Sequence, residues 1–430
     1  MHRYRYIHIL TILLLSASTA GFSQTTFNSP FSLKGVGDLA RNGVPLNSAL
    51  GGISLGMREK GSVDYVNPAS YSGRDSLSFV LNFGAQGIGS FLTSQNSKAS
   101  SYDLNLNHLM FGFPILKNLG FAFGFVPYTY TGYTISEQVL KDDPLYNPDI
   151  GELEYLYKGE GGVTRFFAGT SIELFHHLSI GINFDYLFGE IKKVHTLYFL
   201  DNPGTLDPEM ERRTIVSDFN YDIGLQYRAK PGENNHLVLG LVGGTNKKLN
   251  YSVEQLDYAV SVFSNGKRLK DTIHYLQAFN QKFTLPFYIG AGFTFSTEKW
   301  LVGVDYNYQD WSKSEIPFSK DKLVASHFIK AGAQFIPNPR DFHRYWKIVR
   351  YRLGGHYGNS YFEVNNNPLK DFGISFGAGF PIPLSRTTLN ISWESGWRGS
   401  IEQNYVKQQY NIINFGISIN SFWFAKRKYK

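Results

Sequence analysis

The 430-residue sequence contains no cysteine. That absence excludes disulfide staples, thiolate catalysis, cysteine-ligated metal and lipidation at an N-terminal cysteine. Long hydrophobic runs are also missing. The longest apolar stretch, Ile7 to Leu15, is nine residues, whereas a membrane-spanning helix needs about 20. The body of the chain has almost no excess of one charge: the formal net charge is +7, but Arg3, Arg5 and the tail residues Lys426, Arg427, Lys428 and Lys430 supply six of these charges. A basic face for nucleic acid therefore has no support, and the tail reads as a solvated terminus beside anionic head groups. Catalytic patterns are equally scarce. His176-His177 falls in an expected turn with no cysteine nearby and no glutamate at metalloprotease spacing, so neither an enzyme nor a metal or other cofactor is expected.

What the chain does contain is a two-residue alternation along most of its length. In LSIGINFDYLFG (178–189) one face carries Ile180, Ile182, Phe184, Tyr186 and Phe188, and the other Ser179, Gly181, Asn183 and Asp185. DFNYDIGLQYR (218–228) and LVGVDYNYQDW (301–311) repeat the pattern. Successive side chains of a strand point to opposite sheet faces. A bulky apolar face opposed to a small, hydrogen-bonding face with isolated charges fits strands set between lipid and a polar lumen. The expected fold is all-β, an antiparallel transmembrane barrel surrounded by outer-membrane lipid.

Fourteen segments carry the pattern: 76–92, 102–115, 120–135, 153–174, 178–190, 213–229, 236–252, 279–296, 300–312, 324–336, 347–358, 372–381, 386–398 and 411–423. An even count suits a bacterial single-chain barrel. Connections alternate between tight (116–119, 175–178, near 297–299, 382–385) and long (136–152, 191–212, 253–278). Short turns face the periplasm in such barrels and long loops face outside, which puts both termini in the periplasm. Aromatics are 16% of the chain, and Trp300, Trp311, Trp397, Trp423 and Phe424 near strand ends are expected in interfacial girdles. In 253–278, Tyr258, Phe263, Tyr275 and, just beyond, Phe279 read either as a partner surface or as self-packing over the barrel mouth.

The division expected is a signal peptide over 1–23, an N-terminal segment over 24–73, a barrel over 74–424 and a basic periplasmic tail over 425–430. The signal reading rests on the basic start, the short apolar core and the Gly21-Phe22-Ser23 cleavage site, with cleavage after Ala20 as the alternative. Export points to the outer membrane of a Gram-negative bacterium. Segment 24–73 is rich in Gly, Ser, Asn and Pro without alternation. A barrel of fourteen strands is too wide for its own side chains to fill, so the segment is suited to fold back as a plug; a disordered periplasmic extension is the other reading. Within it, Gly35-Val36-Gly37-Asp38-Leu39-Ala40 superficially matches a dinucleotide fingerprint but lacks the preceding strand that motif requires.

SPFSLKGVGDL (29–39), Ala49-Leu50-Gly51-Gly52, Asn67-Pro68-Ala69, YKGEGG (157–162), Leu285-Pro286, and Asp305-Tyr306 with Trp311 follow one another along the chain. Taken in order, these motifs resemble the FadL family of outer-membrane transporters for long-chain fatty acids and other hydrophobic compounds, in a divergent branch. The resemblance implies a fourteen-stranded barrel closed by an N-terminal hatch, with Asn67, Pro68 and Ala69 matching the hatch motif. It further implies passive uptake of a hydrophobic small molecule through the plugged lumen, with lateral exit at a kinked third strand. Here Pro127 sits within LGFAFGFVPYTYTGY (119–133), three residues after Gly124. A proline removes a ladder donor, so Pro127 marks either a bulge opening a side gate or a bend near the rim. The inward charges Asp185, Asp222, Asp305, Lys330, Arg350, Arg352 and Glu394 depart from a greasy conduit. They are either a structural ion-pair network or polar lumen contacts, with Arg350 or Arg352 able to bind a ligand carboxylate. The function of another class that fits the same residues is a non-transporting barrel subunit of a larger outer-membrane protein assembly with partner proteins.

Overall fold

A computed structural model describes residues 29–422 apart from 42, 203, 233, 263–267, 315–320 and 342. The expected signal peptide, Phe263, Trp423, Phe424 and the basic tail lie outside the described residues. Fourteen antiparallel strands close into a barrel: β1 (Ser78–Thr93), β2 (Lys98–Leu116), β3 (Leu119–Val139), β4 (Leu153–Leu174), β5 (Leu178–Phe199), β6 (Asp207–Ala229), β7 (His236–Gly244 continued by Lys247–Val262), β8 (Arg268–Leu285 continued by Tyr288–Ser296), β9 (Trp300–Asp310), β10 (Ala325–Phe335), β11 (Arg350–Val364), β12 (Asn367–Pro381), β13 (Thr388–Arg398) and β14 (Lys407–Phe422). β14 pairs with β1 from Lys407↔Thr93 to Phe422↔Ser78, which closes the ring. Leu285-Pro286 falls at the break inside β8, where a residue without an amide donor interrupts the ladder.

The alternation sorts the faces as the pleat requires. Along β5 and β6, Ile180, Phe184, Phe219, Ile223 and Tyr227 are exposed outward, while Ser179, Asn183, Asp185, Asn220, Asp222 and Gln226 are buried. No described helix is long and apolar enough to cross a membrane. Backbone satisfaction therefore comes from the closed ladder, the one strand solution that lipid permits.

Two expectations are corrected. The stretches read as long loops at 191–212 and 253–278 are largely strand, whereas 136–152 is strand only as far as Val139: β5 and β6 stay in register out to Thr196↔Glu209, and β7 and β8 out to Val262↔Arg268. Beyond the lipid both faces of a sheet are wet, so a strand there can carry charge on either side and loses the alternation that marks it in sequence. Trp311, expected in an interfacial girdle, is fully buried. It opens a short 3-10 turn, Trp311–Lys313, in which the Asp310 side chain accepts from the Ser312 amide, and the indole packs 4.5 Å from the Tyr361 ring. Trp300, by contrast, is half exposed at the start of β9.

Candidate functional site

Described residues of 29–75 make hydrogen bonds and ion pairs with inward-facing groups of the strands. Pro68–Gly73 forms a 3-10 turn capped by Asn67, whose Oδ1 accepts from the Ala69 amide at 3.1 Å. The Asn67 Nδ2 donates to Leu55 O at 2.8 Å and to Leu225 O and Leu241 O in the wall at 3.3 and 3.4 Å. Asn67, Pro68 and Ala69 are buried. Tyr71 donates to Asn183 Oδ1 at 2.8 Å, and Asn183 Nδ2 donates to Tyr65 O at 2.9 Å. Asp305 Oδ2 accepts from the amides of Ser54 and Leu55 at 2.6 and 2.9 Å.

Wall glycines make this approach possible. A Cβ on Gly240 would lie 1.9 Å from Leu55 O, and one on Gly354 would lie 2.1 Å from Gly51 N. Contacts of that kind are with backbone, which cannot swing away. These glycines were not singled out from the sequence, where glycine within a strand signals only a bulge or some close approach of unknown identity.

Charge pairs brace the segment in three places. Toward the long-strand rim, Arg41 pairs with Glu394 and with Asp371 at 3.1 Å, and Arg398 bridges Asp38 at 2.9 Å and Asp371 at 3.3 Å. The Tyr410 hydroxyl donates to Asp371 at 2.8 Å, and the Arg41 guanidinium sits 4.3 Å over the Tyr410 ring. Across the lumen, Arg165 stands between Asp185 at 3.7 Å and Asp222 at 3.4 Å. Toward the short-turn rim, Arg58 pairs with Glu173 at 2.5 Å and donates to Ser179 at 2.8 Å, while Arg228 approaches the same carboxylate at 2.7 Å. Burial lowers the Arg58 pKa to about 10, against the opposing pull of Glu173. Such pairs hold geometry more than they add net stability.

Of the inward charges read from the sequence, the structure groups Glu394 with the Arg41 cluster and Asp185 with Asp222. Asp305 instead ties down backbone. Lys330 borders a central cavity of about 220 Å³ that Arg41, Arg165, Asp222, Asp371 and Glu394 also line. Arg350 reaches Glu59 at 3.5 Å. Arg352 is buried and donates to Gln334 and Asn390, each at 2.8 Å. Arg41, Arg58, Arg165, Glu173, Asp371 and Arg398 were missed. Arg398 has the parity of Glu394 on β13, so alternation alone could have placed it inward.

The third strand has a distinct edge. The described pairing of β2 with β3 runs from Leu116↔Leu119 only to Leu109↔Phe125, two residues before Pro127, and the β3–β4 register shifts between Pro127 and Thr129. Beyond that point the N-terminal segment takes up hydrogen bonds of β3. Asp38 and Leu39 pair with Tyr130 and Thr129, the Ala40 amide donates to Tyr128 O at 2.9 Å, and the Ser29 amide to Gly132 O at 2.8 Å. Gly124 remains inside the regular ladder, opposite Met110 and Phe167.

A closed fourteen-stranded barrel with apolar residues outward and buried polar groups inward defines an outer-membrane β-barrel protein of FadL-like fold. Within that class the chain belongs to the BamG family, whose model matches residues 5–430. The structure is similar to the CymD monoaromatic hydrocarbon channel, with TM-score 0.59 at 15% identity over 89% of this chain and 99% of that one. It is similar also to the Ralstonia pickettii toluene transporter TbuX, at 0.58 and 11% over 88% and 98%, and to a Pseudomonas aeruginosa FadL homologue, at 0.57 and 9% over 90% and 99%. These structures are channels and transporters, not enzymes, and at such identities the likeness concerns the fold. A search of curated proteins found no match.

Proposed function

We propose that this protein is a sealed barrel that serves as a fixed subunit of a larger outer-membrane protein assembly, with residues 24–73 as its hatch and the short-turn rim in the periplasm. The central cavity carries this reading. At about 220 Å³ it is bordered by Arg41, Arg165, Lys330, Asp371 and Glu394, and a hydrocarbon entering it would strip water from charged groups without replacing their hydrogen bonds. Membership in the BamG family end to end supports the same reading, because the likeness to hydrocarbon channels is one of fold. The tall sheet built by the outer parts of β4 to β8 offers a rigid surface for partner proteins. Extraction in mild detergent followed by native mass spectrometry tests the reading: stoichiometric partner chains support it, and a lone barrel carrying lipid or a small hydrophobic ligand overturns it.

A second reading has two observations in its favour. Beside its charged groups, the central cavity is lined by Leu39, Tyr65, Tyr128, Val242, Leu285 and Phe328, the kind of side chains that line sites for small hydrophobic ligands. The break in β2–β3 pairing beside Pro127 is where a side gate would lie, so passive uptake of a hydrophobic small molecule with lateral exit at β3 stands as the alternative.

A further inference from the structure

The short-turn rim opens into a cavity of about 680 Å³ whose lining includes seven Lys and Arg side chains against three carboxylates. Most of this charge is already matched: Lys60 pairs with Asp75 at 2.7 Å and Arg386 approaches the same carboxylate at 3.5 Å, Arg58 and Arg228 share Glu173, and Arg350 approaches Glu59 at 3.5 Å. Lys230 and Lys299 have no acidic partner among the described residues. Directly behind the lining, Arg352 donates to Gln334 and Asn390, both of which border the cavity. The residue is 4% exposed, forms no ion pair with a carboxylate among the described residues, and leaves Nη2 without a hydrogen bond. A buried cation with no counter-charge is costly, and here it stands behind a rim that is already positive. The positive charge therefore converges on an open mouth.

We propose that this mouth is a receiving site for a carboxylate-rich, extended segment of a periplasmic partner protein. The inference rests on the assembly reading above and on its orientation. The lining, in which Trp300, Leu301 and Ile336 lie beside the basic residues, suits a peptide with side chains of both kinds better than a bare anion. Electrostatic complementarity of this sort steers and selects a partner.

The test uses the full-length protein in nanodiscs and a fluorescent hexaglutamate peptide followed by anisotropy. Saturable binding is expected, weakened about tenfold or more in a Lys230→Glu/Lys299→Glu double variant, whose exposed positions leave the fold intact. Hexalysine should not bind. Absence of saturable hexaglutamate binding, equal binding by the double variant, or displacement by inorganic phosphate at concentrations comparable to the peptide would each overturn the proposal, the last marking a small-anion site. Partner recovery from cells separates the two inferences. If the wild-type barrel retains partners and the double variant retains them equally, the mouth is not their seat although the assembly reading stands. If the wild type retains none, the assembly reading fails whatever the peptide does.

Discussion

Arg398 Nη1 donates to Asp38 Oδ2 over 2.9 Å, joining the end of β13 to the residue whose backbone pairs with Tyr130 of β3. One side chain pair thus links the edge where β2 and β3 part to β13, which lies beyond β2, β1 and β14 around the ring. Both side chains are about nine-tenths buried, so removing Arg398 leaves Asp38 without its ion-pair partner, while removing Asp38 leaves Arg398 with Asp371 at 3.3 Å.

The Arg398→Ala variant should accordingly lose about 3 kcal/mol of stability, the range for breaking a buried ion pair. The urea midpoint read from heat-modifiable electrophoretic mobility measures it. Arg398→Ala should give a non-additive double-mutant cycle with Asp38→Ala, and strict additivity would show that the pair is not coupled.

Gly240→Ala should unseat the N-terminal segment while leaving the barrel closed, because the added methyl would sit 1.9 Å from Leu55 O. Single-channel conductance in planar bilayers is expected to rise from a closed baseline as the wide lumen fills with water. Gly87→Ala, whose Cβ would meet only Asp103 O at 3.9 Å, is the silent control. A closed Gly240→Ala barrel would mean that side chains alone seal the lumen.

Asp64 gives the segment a pH dependence. Burial raises its pKa to about 7, partly offset by hydrogen bonds from Asn47 and the Val66 amide. Because the folded value lies above the unfolded one, the contribution of this group to stability is whole below about pH 4 and is lost as pH rises through about 7. The urea midpoint of the wild type should fall between pH 5 and pH 8 by more than that of Asp64→Asn, which keeps acceptor and shape but cannot ionise. Parallel pH profiles of the two proteins would remove Asp64 from the account.

Pro127→Val separates the two readings of function. Valine restores an amide donor and a strong strand former beside the point where β2 and β3 part. If the break serves a side gate, uptake of a labelled hydrophobic compound into cells should fall while surface expression holds. A structural subunit should keep its partners, with no change beyond stability.

Alternation alone determined the class of this protein and the membership of its strands. Side chains two apart share a face whatever the rest of the chain does, so Asp185, Asp222 and Glu394 could be placed inward from their own neighbours. The same rule failed at 191–212 and 253–278, because the contrast between lipid and lumen that creates the pattern ends at the membrane surface. Tertiary structure decided everything about the lumen. Which carboxylate faces which guanidinium depends on contacts such as Asp38 with Arg398, 360 residues apart. The same holds for the inward turn of Trp311 and for the wall glycines that admit Leu55 and Gly51. Local sequence carries no record of such partners, because their energy exists only once the ring has closed and brought opposite walls within a few ångströms of the same short segment.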